Sequence, residues 1–336
     1  MTFLIQQTLI YAIPLMIVAL AGVFAERSGI INLALEGIMI FGAFIGVLFV
    51  REVQQLEVFK LAKEMDNYLA LQGLELMAMA VAAVMGAIFS LLLSFASVNL
   101  RADQTIGGTA LNLMAPAIVL FFIRIIANQN TMTMSSGDSA SWFMIKKAMF
   151  GYGRTDKMGF LGSTFIDKTY LATYICILLF IILSIILYKT RFGLRLRSCG
   201  ENPQAADSLG INVYKMRYAG VLLSGALGAI GGLAYIVPPV QTWNFEVGVA
   251  GAGFLALAVM IFGQWKPFNI FGAAMFFAVF KSLANIADST FLAQLHWSSN
   301  IYNMMPFVAS MVILAFTSKN SMAPKAEGIP YDKGSR

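Results

Sequence analysis

Long apolar blocks separated by short polar stretches cover most of this chain, near residues 3–24, 30–50, 73–98, 105–127, 169–188, 218–237, 247–264, 268–287 and 301–317. A helix that crosses a bilayer needs about 20 predominantly apolar residues. Each block therefore predicts one span, and together they predict an all-α polytopic membrane protein with about nine to ten transmembrane helices. The first block lacks the basic leading region and small-residue cleavage site of a signal peptide, so it reads as the first span. Composition agrees, with 59% hydrophobic and 12% charged residues, against about 25% charged in ordinary soluble domains. Residues 1–320 are expected to form the membrane domain and 321–336 a cytoplasmic tail.

Orientation follows from the polar stretch 189–217, KTRFGLRLRSCGENPQAADSLGINVYKMR. Lys189, Arg191, Arg195, Arg197, Lys215 and Arg217 oppose only Glu201 and Asp207, and short basic loops stay on the cytoplasmic side. Asn202 can cap a helix, Pro203 suits its first turn and Gly210 can end it, so a short cytoplasmic helix is expected over 201–211. Counting spans forward puts Lys319, Lys325, Lys333 and Arg336 inside as well; counting back puts the N-terminus and the acid-rich 51–72 stretch outside. The segment 128–168 runs against this count, because Lys146, Lys147, Arg154, Lys157 and Lys168 fall outside. A surface or re-entrant helix near Ser141–Phe150 is the expected reason. The net charge of +6 is then a matter of topology and anionic membrane lipids rather than nucleic acid.

Ionisable groups inside a membrane are costly and mark function by default. Glu36 is the clearest: with a span starting near Gly29 it lies about 10 Å into the bilayer. Asn32, Gln104, Thr105, Thr109 and Asn112 fall in the matching halves of the second and fourth blocks. Two readings stay open, a translocation pathway or an internal polar contact that holds a broken helix together. Lys281 and Asn285 share a helix face four residues apart, and Arg124 and Lys281 equally suit snorkelling to an interface. Gln241 to Glu246, after Pro238-Pro239, could form a mouth or supply ordinary interface anchors. Gly228 and Gly232, and Ala82 and Gly86, are at packing spacing, which suits either a sliding surface or plain close packing. His296, Cys176 and Cys199 form no metal or disulfide pattern.

An internal echo adds a hint of duplication: Leu33-Ala34-Leu35-Glu36-Gly37-Ile38-Met39-Ile40-Phe41-Gly42 aligns, with one gap, with Leu255 to Gly263. Both copies sit near glycines that permit broken helices, Gly29 and Gly37 in one and Gly251 and Gly253 in the other. No GxxxxGK[ST], HExxH, GxSxG or CxxC occurs, so no P-loop nucleotide site, catalytic site, metal or cofactor is expected in this chain. Any energy must come from elsewhere.

Glu201, the Ala205-Ala206 pair and Gly210 together resemble the coupling loop of ATP-binding-cassette (ABC) importer permeases. The longer string Arg197–Tyr218 resembles the nucleoside (guanosine-type) branch of the branched-chain amino acid and ribose permease family. Glu26–Gly29 through Glu36-Gly37, Arg101–Gln104 through Asn112, and Gly251–Lys281 extend the resemblance, which covers about residues 5–317. It implies two related halves, a second paralogous permease, a separate ATPase subunit that binds ATP, and an extracytoplasmic substrate-binding protein, often lipid-anchored. It further implies that Glu201, Asn202, Pro203, Ala205, Ala206, Asp207 and Gly210 dock into the ATPase. Asn32, Glu36, Gln104, Asn112 and Lys281 would line or frame the pathway, with Lys281 and Asn285 placed to meet a ribose or a partner acid. Nucleosides are the expected cargo, although sugar and branched-chain amino acid importers share the scaffold. An ion-coupled secondary transporter with Glu36 as carrier, and a non-transporting membrane scaffold or enzyme, are the competing expectations.

Overall fold

The computed structural model describes residues 2–64, 68–133, 143–145, 149, 159–167, 169–236, 242–244, 248–286, 299–317 and 322–334. The fold is helical. In order, α1 is Thr2–Arg27, α2 Leu35–Val53, α3 Glu57–Glu64, α4 Tyr68–Ser94, which runs on into a π-helical turn at Phe95–Asn99, and α5 Gln104–Ala127. There follow α6 Phe160–Phe165, α7 Leu171–Lys189, α8 Arg191–Glu201, α9 Pro203–Ser208, α10 Val213–Ile236, α11 Ala252–Phe262, α12 Pro267–Ile286 and α13 Ser299–Thr317. Four short strands pair at the end of the bundle opposite α8 and α9. Of these, β1 (Thr131–Thr133) runs antiparallel to β4 (Thr242–Asn244), and β2 (Met144–Ile145) to β3 (Thr169–Tyr170).

Among the described residues, α1, α4 with its π-helical turn, α5, α7 and α10 are long and apolar enough to cross a membrane. Their burial sorts them into layers. In α1 89% of the apolar window is covered by protein and in α10 72%, against 22% in α5 and in α7, so α1 and α10 form the centre and α5 and α7 the rim. Close approach at the centre depends on residues without side chains. A Cβ on Gly232 of α10 would lie 2.2 Å from Met39 O, one on Gly42 of α2 2.3 Å from Ala229 Cα, and one on Gly86 of α4 2.3 Å from Ala229 Cβ. Gly228 and Gly232 of α10 therefore sit in a tight van der Waals interface with α2, and Gly86 of α4 in one with α10.

Several expectations need correction. The second block does not start its helix near Gly29; Ser28–Ala34 is non-helical and α2 begins at Leu35, so Glu36 lies in a first helical turn. The block 247–264 holds a helix of 11 residues, about 16 Å at 1.5 Å per residue, which is too short to cross a hydrocarbon core of about 30 Å. The polar stretch 189–217 carries two helices rather than one, and its last residues already belong to α10. Within it Arg217 is buried rather than a surface charge. The echo is not matched at the level of conformation, since Leu33 and Ala34 are non-helical while Leu255 and Ala256 lie inside α11. Lys146, Lys147, Arg154, Lys157, Lys168, His296, most of Ser141–Phe150, and Gln241, Phe245 and Glu246 lie outside the described residues.

Candidate functional site

The polar residues picked from the apolar blocks converge on the break between α1 and α2. Four of its backbone groups lack helical partners, and buried backbone groups must find others. Gln104, the first residue of α5, accepts from Ile31 N–H at 2.7 Å. Asn112, two turns further along α5, donates to Leu33 O at 2.6 Å and accepts from Gly37 N–H at 2.8 Å. Asn32 accepts from Ala34 N–H at 3.1 Å and donates to Ser224 Oγ of α10 at 2.8 Å. Asp103 caps α5, accepting from Thr105 and Ile106 N–H, which fixes the register at which Gln104 and Asn112 meet the break.

Glu36 crosses from this break to the second half of the chain. Its carboxylate accepts from Gly251 N–H at 3.0 Å and from Gly253 N–H at 2.6 Å, in the turn that opens α11. Gly251 holds φ +75, and Ala250 and Gly248 before it also have positive φ. Gly253 is pressed so close that a Cβ there would lie 2.4 Å from Glu36 Cα. The N-terminal ends of α2 and α11 therefore meet, and the positive ends of two helix dipoles converge on one carboxylate. Irregular backbone of this kind inside a bundle is tolerated because protein side chains satisfy its polar groups.

Of the other expected pathway residues, Lys281 lies half-buried on α12, and Asn285 lies on the same helix with its side chain outside the described residues. Glu75 was not expected. It is buried in α4 and accepts from Ala172 N–H at 3.3 Å, so a second buried acid caps the start of α7. Its signal was visible as an acid inside the third apolar block, as Glu36 was in the second.

At the other end of the bundle α8 and α9 form an elbow. Asn202 caps α9 by accepting from Ala205 N–H at 3.0 Å, Pro203 is its first residue, and Gly210 closes it at φ +81. Glu201, Asn202, Ala205 and Gly210 are exposed, and so is the apex residue Leu209 at 82%. Ala206 instead faces inward and is buried, and Asp207 is half-buried 3.9 Å from Lys333 Nζ. The elbow is anchored on α1 by the Arg27–Glu201 ion pair at 3.2 Å and by Gly200, where a Cβ would lie 2.4 Å from Arg27 O. The elbow thus presents an exposed leucine at its apex on a capped helix anchored to α1.

Fold and site together define the class: a polytopic helical membrane protein with a polar junction of broken helices in its interior and a protruding elbow at one end. Comparison with known proteins makes the identity narrower. Residues 4–315 match the family described as branched-chain amino acid transport system / permease component. The chain is 39% identical over 334 residues to the nucleoside ABC transporter permease protein NupC of Lactococcus lactis, covering 98% of this chain and 96% of the relative. It is 39% identical over 337 residues to the guanosine ABC transporter permease protein NupQ of Bacillus subtilis, covering 100% and 98%. A second Lactococcus lactis protein, the nucleoside ABC transporter permease protein NupB, is 24% identical over 272 residues, covering 80% and 69%. No solved structure matches. The chain belongs to the branched-chain amino acid transport permease family. It is a multi-pass membrane protein and a permease subunit of a transport system.

Proposed function

We infer that this chain is the permease of an ABC importer for nucleosides. The observation that carries the cargo is the 39% identity, over nearly the whole length, to two permeases named for nucleoside and guanosine transport. The chain pairs with a second, paralogous permease; NupB and NupC of one organism, both similar to this chain, support that pairing. The apolar blocks other than 247–264 cross the membrane in two related halves, with the N-terminus outside and residues 321–336 inside, and the polar stretch from 189 to the start of α10 is the cytoplasmic coupling loop of a membrane domain over 1–320.

In this reading α9 docks into the ATPase through Glu201, Asn202, Pro203, Ala205 and Gly210, with Leu209 at its apex. Ala206 and Asp207 act from behind, as the seat of the helix. ATP stays on the partner subunit and this chain holds no cofactor of its own. Asn32, Glu36, Gln104 and Asn112 frame the pathway by holding the two broken helices that a moving solute passes. Lys281 and Asn285 belong to the same pathway further along α12. Membrane lipids cover the rim helices.

Uptake of radiolabelled guanosine, with glucose and leucine as competitors, tests the cargo in cells that carry this chain and its partners. ATP-dependent uptake blocked by unlabelled nucleosides alone is expected; competition by glucose or leucine would reassign the cargo. Co-purification of the ATPase with wild type and Leu209→Glu tests the docking. Loss of the ATPase from the variant is expected, and retention would remove α9 from the docking surface. Uptake that follows the membrane potential without any ATPase would replace the reading with ion coupling through Glu36.

A further inference from the structure

The C-terminal segment, which the sequence offers only as a basic tail, is laid as a strap across the α8–α9 end of the bundle. It starts at the turn between α11 and α12, where Met322 N–H donates to Gln264 Oε1 at 3.1 Å. Ala326 N–H then donates to Gly200 O of α8 at 2.8 Å, and Gly328 N–H to Gly29 O beside the α1–α2 break at 3.3 Å. Arg217 of α10 reaches out from its buried site to donate to Ile329 O at 3.0 Å. Tyr331 is buried with Cys199, Ala206 and Val213 and packs on the Tyr214 ring.

The strap ends in a branch. Asp332 receives both Nη atoms of Arg101 at 2.9 and 3.0 Å, while the next residue, Lys333, faces Asp207 of α9 at 3.9 Å. Neighbouring residues thus hold the elbow on one side and the base of α5 on the other. Arg101 stands at φ +54 between the π-helical turn and the Asp103 cap, a conformation that costs energy in a non-glycine residue and that its surroundings must maintain. An exposed ion pair by itself contributes little to stability. A two-pronged arginine–carboxylate pair does, however, fix orientation as well as distance. Beyond Arg101, α5 carries Gln104 and Asn112 to Ile31, Leu33 and Gly37, next to Glu36. A continuous set of contacts therefore runs from Asp207 through Lys333, Asp332, Arg101 and α5 to the Glu36 junction.

We propose that residues 322–334 are a coupling strap that carries displacement of α9 to the base of α5, with Asp332 and Lys333 as its positioning residues. This rests on the reading of α9 as the helix that docks the ATPase. The strap supplements the direct path through α8 and α10: it links the elbow to α5, the rim helix that clamps the broken α2.

The test uses the full complex in vesicles, with guanosine uptake and ATP hydrolysis measured together for wild type, Asp332→Arg, Arg101→Asp and the Arg101→Asp/Asp332→Arg exchange. Both single variants are expected to co-purify with the ATPase and to hydrolyse ATP. Their guanosine carried per ATP should fall about fivefold or more, the lower end of couplings between sites. The exchange, which rebuilds the pair with reversed polarity, should recover most of that ratio. Single variants with the wild-type ratio, or an exchange that recovers nothing, would overturn the strap. So would single variants that lose the ATPase altogether, which would make the segment part of assembly. Failure of the underlying reading is distinguished by Leu209→Glu, which would then leave the ATPase bound and uptake unchanged.

Discussion

The carboxylate of Glu36 and the backbone N–H of Gly253 meet at 2.6 Å across a separation of 217 residues. That contact joins the first turn of α2 to the first turn of α11, and Gly251 N–H supplies the second bond to the same group. The two expectations for Glu36, pathway residue and clamp of a broken helix, thereby become compatible: a group that neutralises two helix N-termini also sets the electrostatics of whatever passes between them. Glu36→Gln separates charge from shape. Its amide offers one acceptor oxygen for two N–H groups, and each lost bond to a charged group costs about 1.5–3 kcal/mol. Expected is normal insertion and ATPase association, with guanosine uptake lowered by tenfold or more, about 1.4 kcal/mol or above. Glu36→Gln with wild-type uptake would leave the carboxylate a dispensable cap.

Asn112 makes a sharper test of the same junction because it uses both ends of its amide, donating to Leu33 O and accepting from Gly37 N–H. Asn112→Asp keeps the acceptor but cannot donate, and it places a second acid near Glu36. Asn112→Leu removes both bonds and leaves two buried backbone groups without their partner, at about 1–3 kcal/mol each. Thermal unfolding in detergent should rank wild type above both variants. Equal stabilities would mean that the break around Ile31–Gly37 does not depend on α5.

Much of this was legible in the sequence and the rest was hidden for identifiable reasons. Asn32, Gln104 and Asn112 stand out because a polar side chain in an apolar block must answer a buried polar group. The cap of α9 was legible because Asn202, Pro203 and Gly210 each act locally. The break at Ser28–Ala34 was legible only as nearby glycines that permit a broken helix; its extent was not, since Ile30, Ile31 and Leu33 read as continuous with the span and hydropathy carries no record of backbone geometry. Arg217 was counted as surface charge because its acceptor, Ile329 O, is a backbone group 112 residues away. The strap was hidden for the same reason: apart from Glu327, Tyr331, Asp332 and Lys333, the contacts described above use its main-chain atoms, which any sequence can supply.

The glycine surface of α10 gives a prediction about packing. Gly232 faces Met39 O of α2 directly, and helix backbones at both sides leave no flexible atom to yield. Gly232→Ala should therefore act as overpacking, costing about 1–3 kcal/mol. Gly107, where a Cβ would meet only Leu93 Cδ1 at 3.5 Å, is the control: Gly107→Ala should be neutral or stabilising, since it adds helix propensity in open space. Thermal unfolding of the two variants in the same detergent decides it. An interface that slid freely would tolerate both substitutions, whereas a close-packed one loses stability only with the first.

The strap also carries a pH dependence. The Glu327 carboxyl, hydrogen-bonded to Glu26, is pushed up to about 7 by burial, against the opposing pull of Arg27 and of that hydrogen bond. Docked, the group keeps a proton that the free segment would release near 4.5, the ordinary value for a glutamate. Its contribution to docking is therefore fully present below 4.5 and is lost as the pH rises through about 7. The Asp332 carboxyl, by contrast, is held low by Gly334 N–H and by Arg101. Amide exchange over residues 326–331 should accelerate between pH 6 and pH 8 by more than the intrinsic rate, and Glu327→Gln, which keeps the neutral shape, should remove the excess. The same variant should hold the strap more firmly than wild type at pH 8, and equal protection in the two proteins there would show that Glu327 does not control docking.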